Sequence, residues 1–366
     1  MNKTVALFLG GLSLMLSHSV IARDFNMFSL ENERCYDRKI EPYTFVVDSH
    51  NHFRPFGGPA IPFDEMLEIL RDNQIYFVNI FGIGQKLPAK SPCTYYLDCP
   101  GTPVTPSMTN DFVNATNISV REPNRLPDDL HLTLSMSYTD LARPESVVQQ
   151  IELLDKEFPN MFSWMGEINV VKQALFHNQH RATPEAAIPK WQAFMEIMQA
   201  RNIPVSLHSD LGNNKEPTKY LYLMEKILET YPDNVILWHH LGLSKELTKI
   251  KPKRHIGILK NLLDKNPNLY LDISWRVIYD YYFKEEKSRN LYVNFFNQYS
   301  TRILPGTDFV AAASKTPETY KEEVEVNSEI LKYLNDKAFR NIALGQNYFN
   351  LLGLPHRAPQ ICLAKK

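Results

Sequence analysis

Short apolar runs alternate with longer segments in which apolar residues recur every three or four positions. The runs are Thr44–Asp48, Ile75–Phe81, Leu130–Ser137, Phe162–Asn169, Pro204–His208, Val235–His239, Leu269–Ser274 and Arg302–Leu304, the last leading into Gly306-Thr307-Asp308. Each has strand length, and near-continuous apolar character is what a parallel strand covered on both faces shows. Between them, Phe63–Asp72, Pro144–Phe158, Pro189–Ala200, Lys219–Tyr231, His255–Asn266, Lys287–Tyr299 and Thr319–Leu334 carry a helical stripe. Phe63, Met66, Leu67 and Leu70 share one face, as do Val147, Val148, Ile151 and Leu154. Eight strands alternating with helices predict an α/β fold, a (β/α)8 TIM barrel. An open doubly wound sheet is the alternative, but no G-x-G-x-x-G follows the first strand to support a dinucleotide version.

The rhythm breaks between Gly82 and Asp128. Pro, Thr, Asn and Tyr are abundant there and no clear helix is legible. A connection this long is usually functional or disordered. After the second strand of a barrel it would lie over the mouth, so a cap insertion at about 83–128 is expected, with a surface excursion as the alternative. The rest of 23–366 reads as one barrel domain.

Composition narrows the setting. Of 366 residues, 44% are apolar and 22% charged, and the formal net charge is -1. That supports a sizeable core and provides no basic footprint for nucleic acid. Residues 1–22 read as a secretory signal peptide: Lys3, an apolar run from Val5 to Leu16, then Ala22 at the cut. The alternative is an uncleaved anchor, but the run is short for a bilayer core of about 30 Å. A secreted or periplasmic protein with no membrane contact after cleavage follows. Four cysteines, Cys35, Cys93, Cys99 and Cys362, suit an oxidising compartment and allow three pairings or free thiols. Cys93 with Cys99, within one loop, is favoured, leaving Cys35 with Cys362. None has zinc-ligand spacing.

The strand ends carry the chemistry. The first ends in Asp48-Ser49-His50-Asn51-His52, the fourth in Gly166-Glu167, the fifth in His208, the sixth in His239-His240-Leu241-Gly242 and the eighth in Gly306-Thr307-Asp308. Histidines at i and i+2 share a strand face, and in a barrel such residues meet at the C-terminal rim. A lone strand-end His is usually a hydrogen-bonded core residue; several strands delivering His or Asp to one rim point to a divalent metal, with Zn favoured and Mn, Fe or Ni allowed.

These motifs resemble the amidohydrolase superfamily, and most of all its amidohydrolase-related branch of metal-dependent hydrolases and decarboxylases. The resemblance rests on D-x-H-x-H at Asp48–His52, on His208, on His240-x-Gly242, on Gly306-Thr307-Asp308, and on a terminal segment running from Asn341 to Leu354. It implies His50, His52 and His208 as metal ligands and Asp308 as both ligand and proton acceptor for an attacking water. His240 would be a second ligand, or a base or electrophile stabilising an oxyanion. His239 should point away by strand alternation. Many two-metal members have a bridging lysine on strand four; Glu167 stands there instead, so the resemblance leaves one or two ions open. Arg54, following the clamp, would hold a substrate carboxylate, and Arg276 and Trp275 are further substrate-binding candidates; rim salt bridges are the alternative for both arginines.

The expected activity is hydrolysis of an amide, ester or lactone in a small-molecule substrate. Non-oxidative decarboxylation on the same metal is the alternative, and a non-catalytic metal-holding binding protein the third reading.

Overall fold

The computed structural model describes residues 24–88, 91, 93, 99–121, 125–141 and 143–363. The expected signal peptide, residues 1–22, lies outside the described residues. Eight parallel staves run in chain order: β1 (Val47–His52), β2 (Phe77–Ile80), β3 (His131–Met136), β4 (Phe162–Val171), β5 (Val205–Ser209), β6 (Ile236–Trp238), β7 (Leu269–Asp272) and β8, formed by Ile303–Leu304 and Phe309–Val310. Each pairs with its sequence neighbour, and the two halves of β8 meet different partners. Ile303–Leu304 lies against Leu271–Asp272 of β7, and Phe309–Val310 against Asn51–His52 of β1. Ser49 N donates to Pro305 O at 3.1 Å, and Asp308 N to His50 O at 2.8 Å, which closes the barrel.

The staves are apolar because both faces are covered. Val205, Leu207, Ile236, Leu237, Leu269 and Leu271 are all fully buried. The outer helices supply the other side of the core: α1 (Phe63–Asp72), α2 (Thr109–Ser119), α3 (Glu145–Glu157), α4 (Gln192–Ala200), α5 (Leu221–Thr230), α6 (Pro252–Lys265), α7 (Glu286–Gln298), α8 (Pro317–Ser328), α9 (Asp336–Ile342) and α10 (Gln346–Leu352). In α1, Met66, Leu67, Ile69 and Leu70 face inward, as the stripe predicts. No helix among the described residues is long and apolar enough to cross a membrane.

The insertion differs from expectation, since α2 is a helix of 11 residues. Its sequence, TNDFVNATNIS, is poor in helix formers, so local propensity gives no sign of it. Tertiary contacts hold it instead. Asp111 is buried and accepts from the backbone N–H groups of Ser137 and Tyr138, both at 3.0 Å, just beyond β3. Gly82, ending the second run, makes room for it: a Cβ there would lie 2.0 Å from Asp111 Oδ1. A short antiparallel pair, Gln85–Lys86 with Thr105–Pro106, completes the described part of the insertion. Both favoured disulfides are present, Cys35–Cys362 and Cys93–Cys99.

Candidate functional site

The first clamp forms the C-terminal end of β1, as its place at the end of the first strand predicts. Asp48 through His52 are all buried within the strand, their polar side chains filling the barrel's upper layer. Asp48 braces this end. Its carboxylate accepts from Thr307 N (2.9 Å), Thr307 Oγ1 (2.7 Å), Asn51 Nδ2 (2.8 Å) and Tyr320 OH (2.9 Å), tying β1 to β8. His50 and His52 then point their Nε2 atoms at one another, 3.2 Å apart. Behind them, His50 Nδ1 donates to Asp272 Oδ2 at 2.8 Å, and His52 Nδ1 to the Gly82 carbonyl at 3.0 Å. Carboxylates and carbonyls only accept, so each Nδ1 carries a proton and each Nε2 is left as the candidate ligand atom.

Asp308 meets this pair from β8. Its Oδ1 is 3.4 Å from His50 Nε2 and 3.3 Å from His52 Nε2, and its Oδ2 is 4.0 Å from His240 Nε2. Glu167 closes the opposite side, Oε2 3.7 Å from His52 Nε2, while its Oε1 takes Lys172 Nζ at 3.0 Å and His208 Nδ1 at 2.5 Å. His208 is held at both nitrogens, because its Nε2 lies 3.1 Å from Asp210 Oδ1. Groups of ligand atoms within 4.8 Å of one another include His50, His240 and Asp308; His50, His52 and Glu167; and Glu167, His208 and His240.

The strand-six histidines correct the alternation argument. The chain leaves the strand after Trp238, and His240 (φ 55°), Leu241 (φ 56°) and Gly242 (φ 71°) take left-handed conformations. Both His239 and His240 therefore turn inward. His239 Nδ1 lies 2.7 Å from Asp272 Oδ2, its ring 4.1 Å from that of His50. Gly242 is obligatory, since a Cβ would strike the Trp238 ring at 2.3 Å. Ser274 Oγ donates to Asp272 and lies 3.0 Å from His240 Nδ1. With its proton on Nδ1, His240 presents a bare Nε2, which suits a ligand or proton acceptor better than an oxyanion donor. The Nε2 atoms of His239 and His240 are buried with no hydrogen-bond partner among the described residues.

Sequence reasoning passed over Asp272, the residue that organises these histidines. It holds His50, His239 and the His240 backbone N–H together. Its only sequence sign was a carboxylate closing the apolar run LYLD. Lys172, one residue past β4, was missed as well.

Burial alone would keep His50 neutral, but the carboxylates of Asp308, Asp272 and Glu167 lift it to about 9. Burial wins at His240 and lowers it to about 3. Asp308 would be raised by burial, yet His50, His52 and His240 hold it well below the usual carboxylate range. The cluster thus draws positive charge into a buried place. Imidazole nitrogens, carboxylates and two orphaned Nε2 atoms fit a divalent cation on donor type and charge.

Over the cluster opens a cavity of about 560 Å³, lined by residues including His52, Lys172, His208, Trp275 and Asp308. That volume suits a small molecule. Trp275 borders it, its ring 5.0 Å from that of His240. Arg276 is at the mouth, paired with Glu322 (2.5 Å) and Asp280 (3.5 Å). Arg54 is half-buried outside the described lining. Its Nε has no partner among the described residues, and it lies near enough to Lys86 to depress that lysine after burial has done so. No described residue of the insertion lines the cavity.

Solved structures share this architecture. A dihydroorotase from Saccharomyces cerevisiae, in complex with 5-fluoroorotic acid, superimposes with a TM-score of 0.50 at 10% identity over 85% of this chain and 84% of that one. An amidohydrolase from Burkholderia multivorans with bound zinc does so with a TM-score of 0.50 at 11% identity over 84% of this chain and 99% of that one. The fold is that of amidohydrolase structures. At these identities the likeness speaks for the fold alone. No protein-family model and no curated protein matches the chain.

Proposed function

We propose that this chain is an exported, metal-dependent hydrolase that cleaves an amide, ester or lactone bond in a small substrate. The observation that carries the reading is the clustering of ligand atoms of His50, His52, His240, Glu167 and Asp308 beside a cavity that His52, His208 and Asp308 line. His50, His52 and Asp308 would hold one ion, with His208 joining if it gives up a carboxylate contact. Glu167, His208 and His240 are placed to share a second. Zinc suits the donor set, as do Mn, Fe and Ni. Held by these residues, a divalent ion would lower the pKa of water toward about 7 and polarise a carbonyl.

The chain's own groups do the rest. Asp308, kept ionised by its histidines, accepts a proton from water in the cavity and returns it to the leaving group. Lys172 neutralises Glu167, and Asp272 fixes the imidazole orientations. Trp275 offers a flat apolar wall. Export rests on the N-terminal sequence, with the two disulfides as support.

The test is elemental analysis of protein purified without chelators or metal-affinity resin, beside His50→Ala. One or two equivalents of metal lost in the variant, followed by turnover in a panel of amides, esters and lactones, is the expected result. No metal in either protein after refilling would overturn the reading in favour of a binding protein.

A further inference from the structure

Two lysines of the cavity wall have no part in this chemistry. Lys245 follows the left-handed turn after β6, and Lys315 lies between β8 and α8; both line the cavity. Their loops are anchored. Ser244 bridges to Leu247, Ala60 to Ala312, and Lys315 N donates to Ala312 O at 2.9 Å. Lys245 Nζ lies 5.9 Å from the centre of the Trp275 ring, and Lys315 Nζ 4.3 Å from that of Phe309.

The other cations of the lining are committed, Lys172 to Glu167 and Arg276 to Glu322 and Asp280. Lys245 and Lys315 form no salt bridge to a carboxylate among the described residues. Acidic groups that face Lys315 are Glu323 and Asp308. Glu323 accepts from Asn327 Nδ2 at 3.3 Å, and burial pushes its carboxyl up, toward the neutral form. Asp308 is engaged with the histidines. Lys315 is partly buried, which lowers its pKa, and the neighbouring Lys245 lowers it further. Lys245 is exposed and Lys315 partly buried, and two ammonium groups on the wall of one cavity, neither in a salt bridge among the described residues, offer positive charge to an anion that enters it.

We propose that Lys245 and Lys315 form an anion subsite that grips a carboxylate or phosphate group on the end of the substrate remote from the scissile bond. The assignment of the remote end rests on the hydrolase reading above. Trp275 and Phe309 line the same cavity as the two lysines and Asp308, so apolar ring surface is available to the linking part of the substrate. Ammonium groups act as point charges without the fork of a guanidinium, so they accept either anion.

The experiment is titration calorimetry on the metal-loaded full chain and on K245Q/K315Q. The probes are succinate, glutarate, adipate and pimelate, each against the monocarboxylate of matching length, with phosphonoacetate and its longer homologues as the phosphate arm. At one length the doubly anionic probe should bind roughly tenfold more tightly than the monocarboxylate. K245Q/K315Q should erase that advantage and leave the monocarboxylate unchanged. Whether the second carboxylate or the phosphonate gains more identifies the natural group. Equal affinities at every length, or an advantage that survives K245Q/K315Q, overturns the subsite. A lysine-dependent preference in a protein that hydrolyses nothing keeps the subsite and sinks the hydrolase reading; bound metal and turnover with no preference do the reverse.

Discussion

The two ends of the barrel are built on opposite principles. At the N-terminal end of the staves, aromatic rings close the floor. Phe77 of β2 packs on Phe349 (4.6 Å between centres), His356 (4.9 Å), Phe25 (5.3 Å) and Phe28 (5.5 Å). The two ends of the described chain cross beneath, Tyr36 N donating to Gln360 O and Cys362 N to Tyr36 O. At the C-terminal end, buried side chains are imidazoles and carboxylates, some nitrogens have no partner among the described residues, and His240, Leu241, Trp275 and Asp308 hold left-handed backbone. Such features cost free energy and persist only where surrounding structure fixes them. The floor supplies stability that the rim spends on reactivity.

If that division holds, substitutions at the two ends should separate activity from stability. Asp308→Asn at the rim should lower turnover about 10²- to 10⁴-fold in the hydrolysis assay, with the melting temperature little changed. Phe77→Ala at the floor should cost about 3–5 kcal/mol in denaturant unfolding and leave metal content intact. Metal loss from folded Phe77→Ala would break the comparison. Replacing Cys35 and Cys362 together by Ser should cost about 2–4 kcal/mol, again with the metal retained.

The smallest effect sharpens the boundary, through Asp111, the insertion's tie to the rim. Burial raises its carboxyl from 3.8 to about 7 in the folded chain. Between those values the folded state binds the extra proton, so stability falls as pH rises through the window. Asp111→Asn removes that slope. Its stability relative to the parent should improve by about 2–3 kcal/mol from pH 5 to pH 8, measured by urea midpoints at both. Parallel pH profiles for the two proteins would show that Asp111 does not titrate in this window.

Much of this was legible in the sequence. Apolar runs marked the eight staves, because a parallel strand covered on both sides cannot hide its composition. The strand ends named His50, His52, Glu167, His208, His240 and Asp308, and the structure brings them to one rim. Legibility failed where tertiary contacts override local pattern. His239 turns inward because the strand ends at Trp238 and a left-handed turn replaces alternation. Helix α2 is held by Asp111 and the space at Gly82, neither visible as periodicity. Asp272 looked like one more strand residue, since its role lies in three partners distant in sequence.

The Cys35–Cys362 bridge, joining residues 327 positions apart, makes nearly the whole barrel a covalent ring. A protease that cuts one loop between them, in the insertion for instance, opens the ring without releasing a fragment. The nicked molecule would migrate as one species without reductant and as two with it. That ring lets a surface loop be severed while the parts of the barrel stay joined.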